Sequence, residues 1–256
     1  MAPSLISHPQ DLIVVPAAFT ESSYSPFGTA ISSPLSRDLK TIPPLASLKS
    51  PFHPDPVVAN QSTALKYSPI SPFENRYESD GSKNCPSGRS PEARMSMFCC
   101  FPRPLRKTAM EGSERLLFDV RILERHPFTS QTFIPIDLAR DDSSLGHDAE
   151  GEPVFLVIVA PSLYGQVAKA SVDDGVVDIH DPPDLENIRA FIARGGQAVT
   201  YAPGTWHAPM VVLGSRRVDF IVVQFMNGVA DEDCQEAAFG DGISVDVSAT
   251  KTTAKL

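Results

Sequence analysis

Short apolar runs of strand length, separated by turn residues, recur along most of the chain. After three small patches at 12–15, 27–31 and 57–59, strand patterns occupy 94–101, 116–123, 131–136, 154–160, 198–201, 210–213 and 218–225. Val, Ile and Phe dominate them, the residue types that suit a pleated, half-buried surface. Such a series predicts a mainly β fold, a barrel or a sandwich. One helix is predicted across 185–192. Asp181-Pro182-Pro183-Asp184 supplies start chemistry, and Leu185, Ile188, Phe191 and Ile192 fall near a 3.6-residue period before Gly195. That helix is expected to pack one apolar face on the sheet.

The 24 prolines argue against long helices elsewhere. The proline-rich stretch 33–56 reads as an irregular connection. Residues 75–91 (NRYESDGSKNCPSGRSP) are polar and Gly/Ser-rich, and read as an exposed, flexible insertion. From Phe239 onward small and polar residues suggest a disordered tail, so the expected organisation is one domain over 1–236 with a tail over 237–256. No internal repeat is visible.

A length of 256 residues, 42% hydrophobic and 21% charged, suits a globular protein with a sizeable core. The net charge of −9, without a clustered cationic face, argues against nucleic-acid binding. Apolar runs are too short for a helical membrane span. The four cysteines, Cys85, Cys99, Cys100 and Cys234, show no CxxC spacing and read as reduced thiols. With no secretory leader pattern, a cytoplasmic location is expected. The closing Ala254-Lys255-Leu256 resembles a variant peroxisomal address, which makes that compartment the alternative.

Candidate chemistry concentrates in two blocks. In Gly195 to Pro209 (GGQAVTYAPGTWHAP) a Pro-Gly turn delivers the only tryptophan, Trp206, beside His207 at the start of an apolar run. A turn of this kind can aim an imidazole into a barrel mouth. The second block, Glu124-Arg125-His126-Pro127-Phe128-Thr129-Ser130-Gln131, holds another histidine. Their spacings resemble the two cupin motifs: Gly196-x5-Ala202-Pro203-Gly204-x2-His207, with alanine in place of proline, and Glu124-x-His126 followed by Gln131. Two of the three ligands in the first cupin motif are changed.

Four further segments extend the resemblance. Asn60-Gln61-Ser62-Thr63-Ala64-Leu65-Lys66, Phe101-Pro102-Arg103, the Glu124 to Pro135 block and Gly204-Thr205-Trp206-His207-x-Pro209 together resemble the ureidoglycolate lyase family. So do Tyr24 to Gly28 and Asp219 to Val223. The resemblance implies a cupin-like (double-stranded β-helix) barrel with one packed helix and long loops, a homodimer, and cleavage of ureidoglycolate to glyoxylate and urea in allantoin breakdown. A departure lies near Cys99, where the family often carries arginine; if that arginine holds substrate, another cation must replace it or activity is weakened.

The residue chemistry is compatible with that expectation. Elimination must remove the hydroxyl proton, break a carbon–nitrogen bond and protonate the leaving nitrogen. Imidazoles titrate near neutrality and can serve both proton steps, which makes His126 and His207 candidates, with Glu124 and Gln131 beside them. Lys66 or Arg103 would anchor the carboxylate, while Asn60, Thr63 and Gln131 would bind the ureido group. Trp206 would form a pocket wall or core. No cofactor is required outright, but His126, His207, Glu124 and Gln131 can also be read as a nitrogen/oxygen set for nickel or another first-row divalent ion. Rival readings are an amidohydrolase that releases ammonia, a metal-dependent cupin oxygenase, and a non-catalytic barrel binding a small carboxylate.

Overall fold

The computed structural model describes residues 2–36, 38–51, 53–79, 82–110, 113–136, 154–214 and 216–248; the terminal Ala254-Lys255-Leu256 lies outside them. The Val154–Ala160 strand runs through the middle of the fold. Its sequence, VFLVIVA, lacks polar residues because both of its faces are covered. Strand alternation sends Phe155, Val157 and Val159 into one apolar cluster with Phe133, Tyr201, Phe220 and Val222. Leu156, Ile158 and Ala160 enter the other, with Leu123, Trp206, Val211 and Val245.

Two sheets enclose the first cluster. The larger orders its strands Gly175–His180, Val167–Val172, Ser4–Leu5, Gln235–Ala238, Ile122–Arg125, Trp206–His207, Val154–Ala160, Arg189–Arg194 and Ala17–Ala18, and Val211–Leu213 also pairs with Val154–Ala160. The facing sheet has the order Gly28–Ile31, Ala198–Tyr201, Gln131–Ile136, Val218–Met226 and Glu92–Cys100. A third sheet, Arg106–Met110, Ser113–Asp119, Ile243–Asp246 and Leu12–Val14, contributes Leu116, Phe118, Ile243 and Val245 to the second cluster. The protein is mainly β, as its apolar pattern predicts. The sheets do not close into a barrel among the described residues.

The helix expected across 185–192 is absent. Leu185–Asn187 forms one 3₁₀ turn, in which the Asp184 side chain accepts from the Asn187 N–H, and Arg189–Arg194 is a strand paired with Val154–Ala160. Ala190 faces one apolar cluster and Phe191 the other, so both faces are covered and period-two alternation is blurred into an apparent helical period. The helices described are single turns at Glu21–Tyr24 and Ala230–Asp233.

Two segments expected to be loose are built in. Residues 237–248 are ordered: Ile243–Asp246 pairs with both Ser113–Asp119 and Leu12–Val14, burying Ile243 and Val245. Burial of those two side chains outweighs the small and polar residues around them. The described parts of the segment 75–91 are likewise anchored, because Tyr77 is fully buried, Cys85 is buried, and Asn75 bridges Thr129. Among its described residues, the stretch 33–56 holds one short element, the Leu45–Leu48 turn, as expected of a connection. No described helix is long and apolar enough to cross a membrane.

Candidate active site

Register brings the two sequence blocks together. Glu124 sits opposite His207, and His207 in turn opposite Val159. Alternation then sorts neighbours by face. Leu123 and Trp206 enter the second apolar cluster, whereas Glu124 and His207 face the five-stranded sheet. The Pro203-Gly204 turn delivers His207 from a fixed position. The Ala202 N–H and the Thr205 hydroxyl both donate to the Phe27 carbonyl, and the Gly204 N–H donates to the His126 carbonyl at 2.8 Å. Gly204 takes φ +81°, a left-handed conformation that suits glycine.

The five-stranded sheet supplies the opposite wall. Gln131 pairs with Tyr201, and the ladder with Val218–Met226 carries Gln224 to the other side of Gln131. The Tyr201 ring stacks on His207 with centroids 3.8 Å apart at 12°. Gln131 donates through Nε2 to Gln224 Oε1, which turns its own Oε1 toward His207 Nε2 at 3.2 Å. Gln224 escaped the sequence reading, although a signal existed: it continues the inward positions Val218, Phe220 and Val222 with an amide.

The imidazoles of His126 and His207 lie 5.5 Å apart between ring centres, and both are buried. His207 is surrounded by acceptors: the Thr205 carbonyl at 3.0 Å from Nδ1, Gln131 Oε1, and Glu124 Oε1 at 3.5 Å from Nε2. His126 places Nδ1 at 2.6 Å from the Asp233 carbonyl, while its buried Nε2 has no hydrogen-bond partner. Burial, reinforced by the neighbouring His207, lowers the His126 pKa to about 4, so its ring is neutral at pH 7. Burial alone would raise the Glu124 carboxyl, but the hydrogen bond and charge of His207, with His126, hold it below its ordinary value. Cys234 Sγ lies 4.0 Å from Glu124 Oε2. Burial, then Glu124 and other carboxylates, push that thiol up to about 12, so it stays protonated.

Ligand atoms of Glu124, His126 and His207 lie within 4.8 Å of one another. An orphaned imidazole nitrogen, a second imidazole and a carboxylate fit a first-row divalent ion, and Gln131 Oε1 adds a fourth donor, an oxygen, nearby.

Other expected site residues lie elsewhere. Trp206 is fully buried, donates to the Asp181 carbonyl, and stacks under Arg125 at 4.7 Å, so it is core and no pocket wall. Arg125 also holds Gln235 and the carbonyls of His180 and Asp181; its role is structural. Arg103 is exposed over the Phe118 ring, away from the face that bears the imidazoles. Asn60, Thr63 and Lys66 occupy the exposed hairpin of Val57–Ala59 and Ala64–Lys66, which pairs with no other described strand. There Thr63 bonds back to the Asn60 carbonyl, and the described hydrogen bonds and ion pair of the two imidazoles go to other residues. Cys99 lies opposite Asp219, on the face away from Arg94 and Phe98, and Arg217 supplies the cation at Asp219. The departure from arginine at Cys99 therefore falls outside the imidazole cluster.

The family model for ureidoglycolate lyase matches residues 11–246, nearly all of the described chain. This chain belongs to the ureidoglycolate lyase family. A ureidoglycolate lyase of Schizosaccharomyces pombe is 31% identical over 218 residues, covering 85% of this chain and 87% of its own. One from Saccharomyces cerevisiae is 31% identical over 235 residues, covering 90% and 95%. A Burkholderia mallei ureidoglycolate lyase is 30% identical over 160 residues, covering 60% and 75%. The family match includes Ile243–Asp246, the strand that sequence reading had assigned to a tail.

Proposed function

We propose that the chain cleaves ureidoglycolate to glyoxylate and urea at the cluster of Glu124, His126, His207 and Gln131. The observation that carries this reading is the meeting of two buried imidazoles from the two family motif blocks, one with an unpartnered nitrogen. His126 Nε2 takes the proton of the substrate hydroxyl. The oxygen electrons form the glyoxylate carbonyl as the carbon–nitrogen bond breaks, and that bonding pair stays on the ureido nitrogen. His207, ringed by acceptors and charged when it carries both protons, gives one to that nitrogen and urea leaves. Glu124 balances the charge on His207, and Gln131, braced by Gln224, presents its amide to the ureido group. A divalent ion such as nickel would be held by Glu124, His126 and His207; with it bound, His126 would serve as ligand in place of base, and the ion would supply Lewis acidity at the hydroxyl.

The substrate carboxylate calls for a cation. Arg94 is in register with Gln224 and shares its face, along the row Tyr201, Gln131, Gln224, and we assign the anchor to it in place of Lys66 and Arg103. Two facing sheets with the site between their central strands support a cupin-like arrangement. A homodimer would cover the outer face of the five-stranded sheet, where Met95, Met97 and Ile134 are exposed and Ser71, soon after the lone hairpin, bonds Thr200. The test is turnover of ureidoglycolate by the purified protein, with urea, glyoxylate and ammonia measured before and after a chelator. Urea and glyoxylate in equal amounts are expected; ammonia without urea would refute the lyase assignment.

A further inference from the structure

Tyr77 and Asp233 take no part in the chemistry above, yet they are tied to it. A carbonyl only accepts, so the contact of 2.6 Å between His126 Nδ1 and the Asp233 carbonyl puts the proton on Nδ1. In a neutral ring the other nitrogen is then bare, and it is the one left without a partner inside the cluster. The aim of that ring depends on where the Asp233 carbonyl is held.

Two buried carboxylates hold it. Asp233 Oδ1 accepts from the Tyr77 hydroxyl at 2.6 Å and the Asn227 N–H at 2.8 Å, and Oδ2 accepts from the Gly228 N–H at 2.8 Å. Glu232 accepts from the Ser87 N–H, the Ser87 hydroxyl and the Asn227 side chain, each at 2.6 Å. Tyr77 and Ser87 both come from the segment 75–91, whose composition suggests an unattached insertion. A simple staple for a surface loop would not need a fully buried tyrosine ring bonded to a buried aspartate. Nor would it end on the backbone of a residue that grips a site histidine.

We propose that Tyr77 and Asp233 are positioning residues, through which the segment 75–91 clamps the Asp233 carbonyl against His126 and fixes both the tautomer and the aim of its ring. The proposal rests on the reading of Glu124, His126 and His207 as the reacting cluster. Groups that orient a ligating imidazole typically change activity by about 10–100-fold when removed.

The test combines nitrogen-15 NMR of the histidines with steady-state kinetics. It uses the full-length protein and the variants Tyr77→Phe and Ser87→Ala, chelator-treated for the NMR and as purified for the kinetics. The wild type is expected to show His126 protonated at Nδ1 and bare at Nε2. Tyr77→Phe, which keeps the ring and loses one hydroxyl, is expected to shift or broaden the Nδ1–H signal. Its kcat should fall by about 10-fold or more with KM within about twofold. An Nε2–H tautomer in the wild type overturns the proposal, as does a Tyr77→Phe protein with unchanged kcat and unchanged His126 signals. Should Tyr77→Phe not fold, Ser87→Ala is judged by the same two criteria. If ureidoglycolate is not turned over at all, the functional reading fails, while the NMR signals alone still decide whether the clamp exists.

Discussion

Burial of a neutral His126 should make the fold acid-sensitive in a defined window. The unfolded chain takes up a proton on this histidine near its ordinary pKa of 6.5, whereas the folded protein resists until about 4. Between those values the unfolded state binds more protons, so unfolding free energy falls as pH falls. A shift from 6.5 to about 4 is worth about 3 kcal/mol, at about 1.36 kcal/mol per pH unit. The loss begins near pH 6.5, is complete near pH 4, and adds nothing above neutrality. Urea denaturation of the wild type and of His126→Asn, at steps from pH 7 to pH 4, isolates it. Asparagine does not titrate, and its side-chain amide can still donate toward the Asp233 carbonyl. The difference in stability between the two proteins should change by about 3 kcal/mol across the window. Parallel curves would show that the ring protonates freely in the folded state, and the argument from burial would fail.

Further outcomes test other parts of the site. His207→Ala should lower turnover by at least about 10²-fold while near-UV circular dichroism stays native; near wild-type activity would remove His207 from the mechanism. Gln224→Leu strands the Gln131 amide, so stability should drop by about 1–3 kcal/mol with impaired turnover, and unchanged melting and kinetics would count against the amide relay. Arg125→Met severs hydrogen bonds to Gln235, His180 and Asp181 and should cost about 3 kcal/mol in chemical denaturation; an unaltered midpoint would refute its structural role. Calorimetry with nickel should find one site per chain that disappears in His126→Asn, and equal binding by both proteins would displace the ion from this cluster.

Three strands around the site were legible because each carries its own local signal, whereas Ile122–Arg125 was merged with the strand before it. The strands at 131–136, 154–160 and 198–201 are bounded as the apolar pattern marks them, since turn residues flank each one. Arg189–Arg194 was misread as helix because it is covered on both sides, and a doubly covered strand loses the alternation that distinguishes it. Ile243–Asp246 was missed because four residues carry little pattern, and its stability comes from partners far away in sequence. In the site itself, His126, His207, Glu124 and Gln131 were named from motif spacing, and the sheets bring all four together. Of the two places expected for Trp206, pocket wall or core, it takes the core, because adjacency to His207 in sequence means opposite faces in a strand. Asp233 and Tyr77 act through a backbone carbonyl and a distant hydroxyl, which no residue spacing encodes.

The two-residue strand Trp206–His207 places a structural anchor and a reacting group back to back. Inserting or deleting one residue in the tight bend before it would exchange their sides, driving indole into the polar cluster and imidazole into hydrocarbon. Length changes there should therefore be lethal one residue at a time, and better tolerated in pairs that restore parity. Any effort to graft or redesign this bend inherits that even-number constraint before choosing a single amino acid.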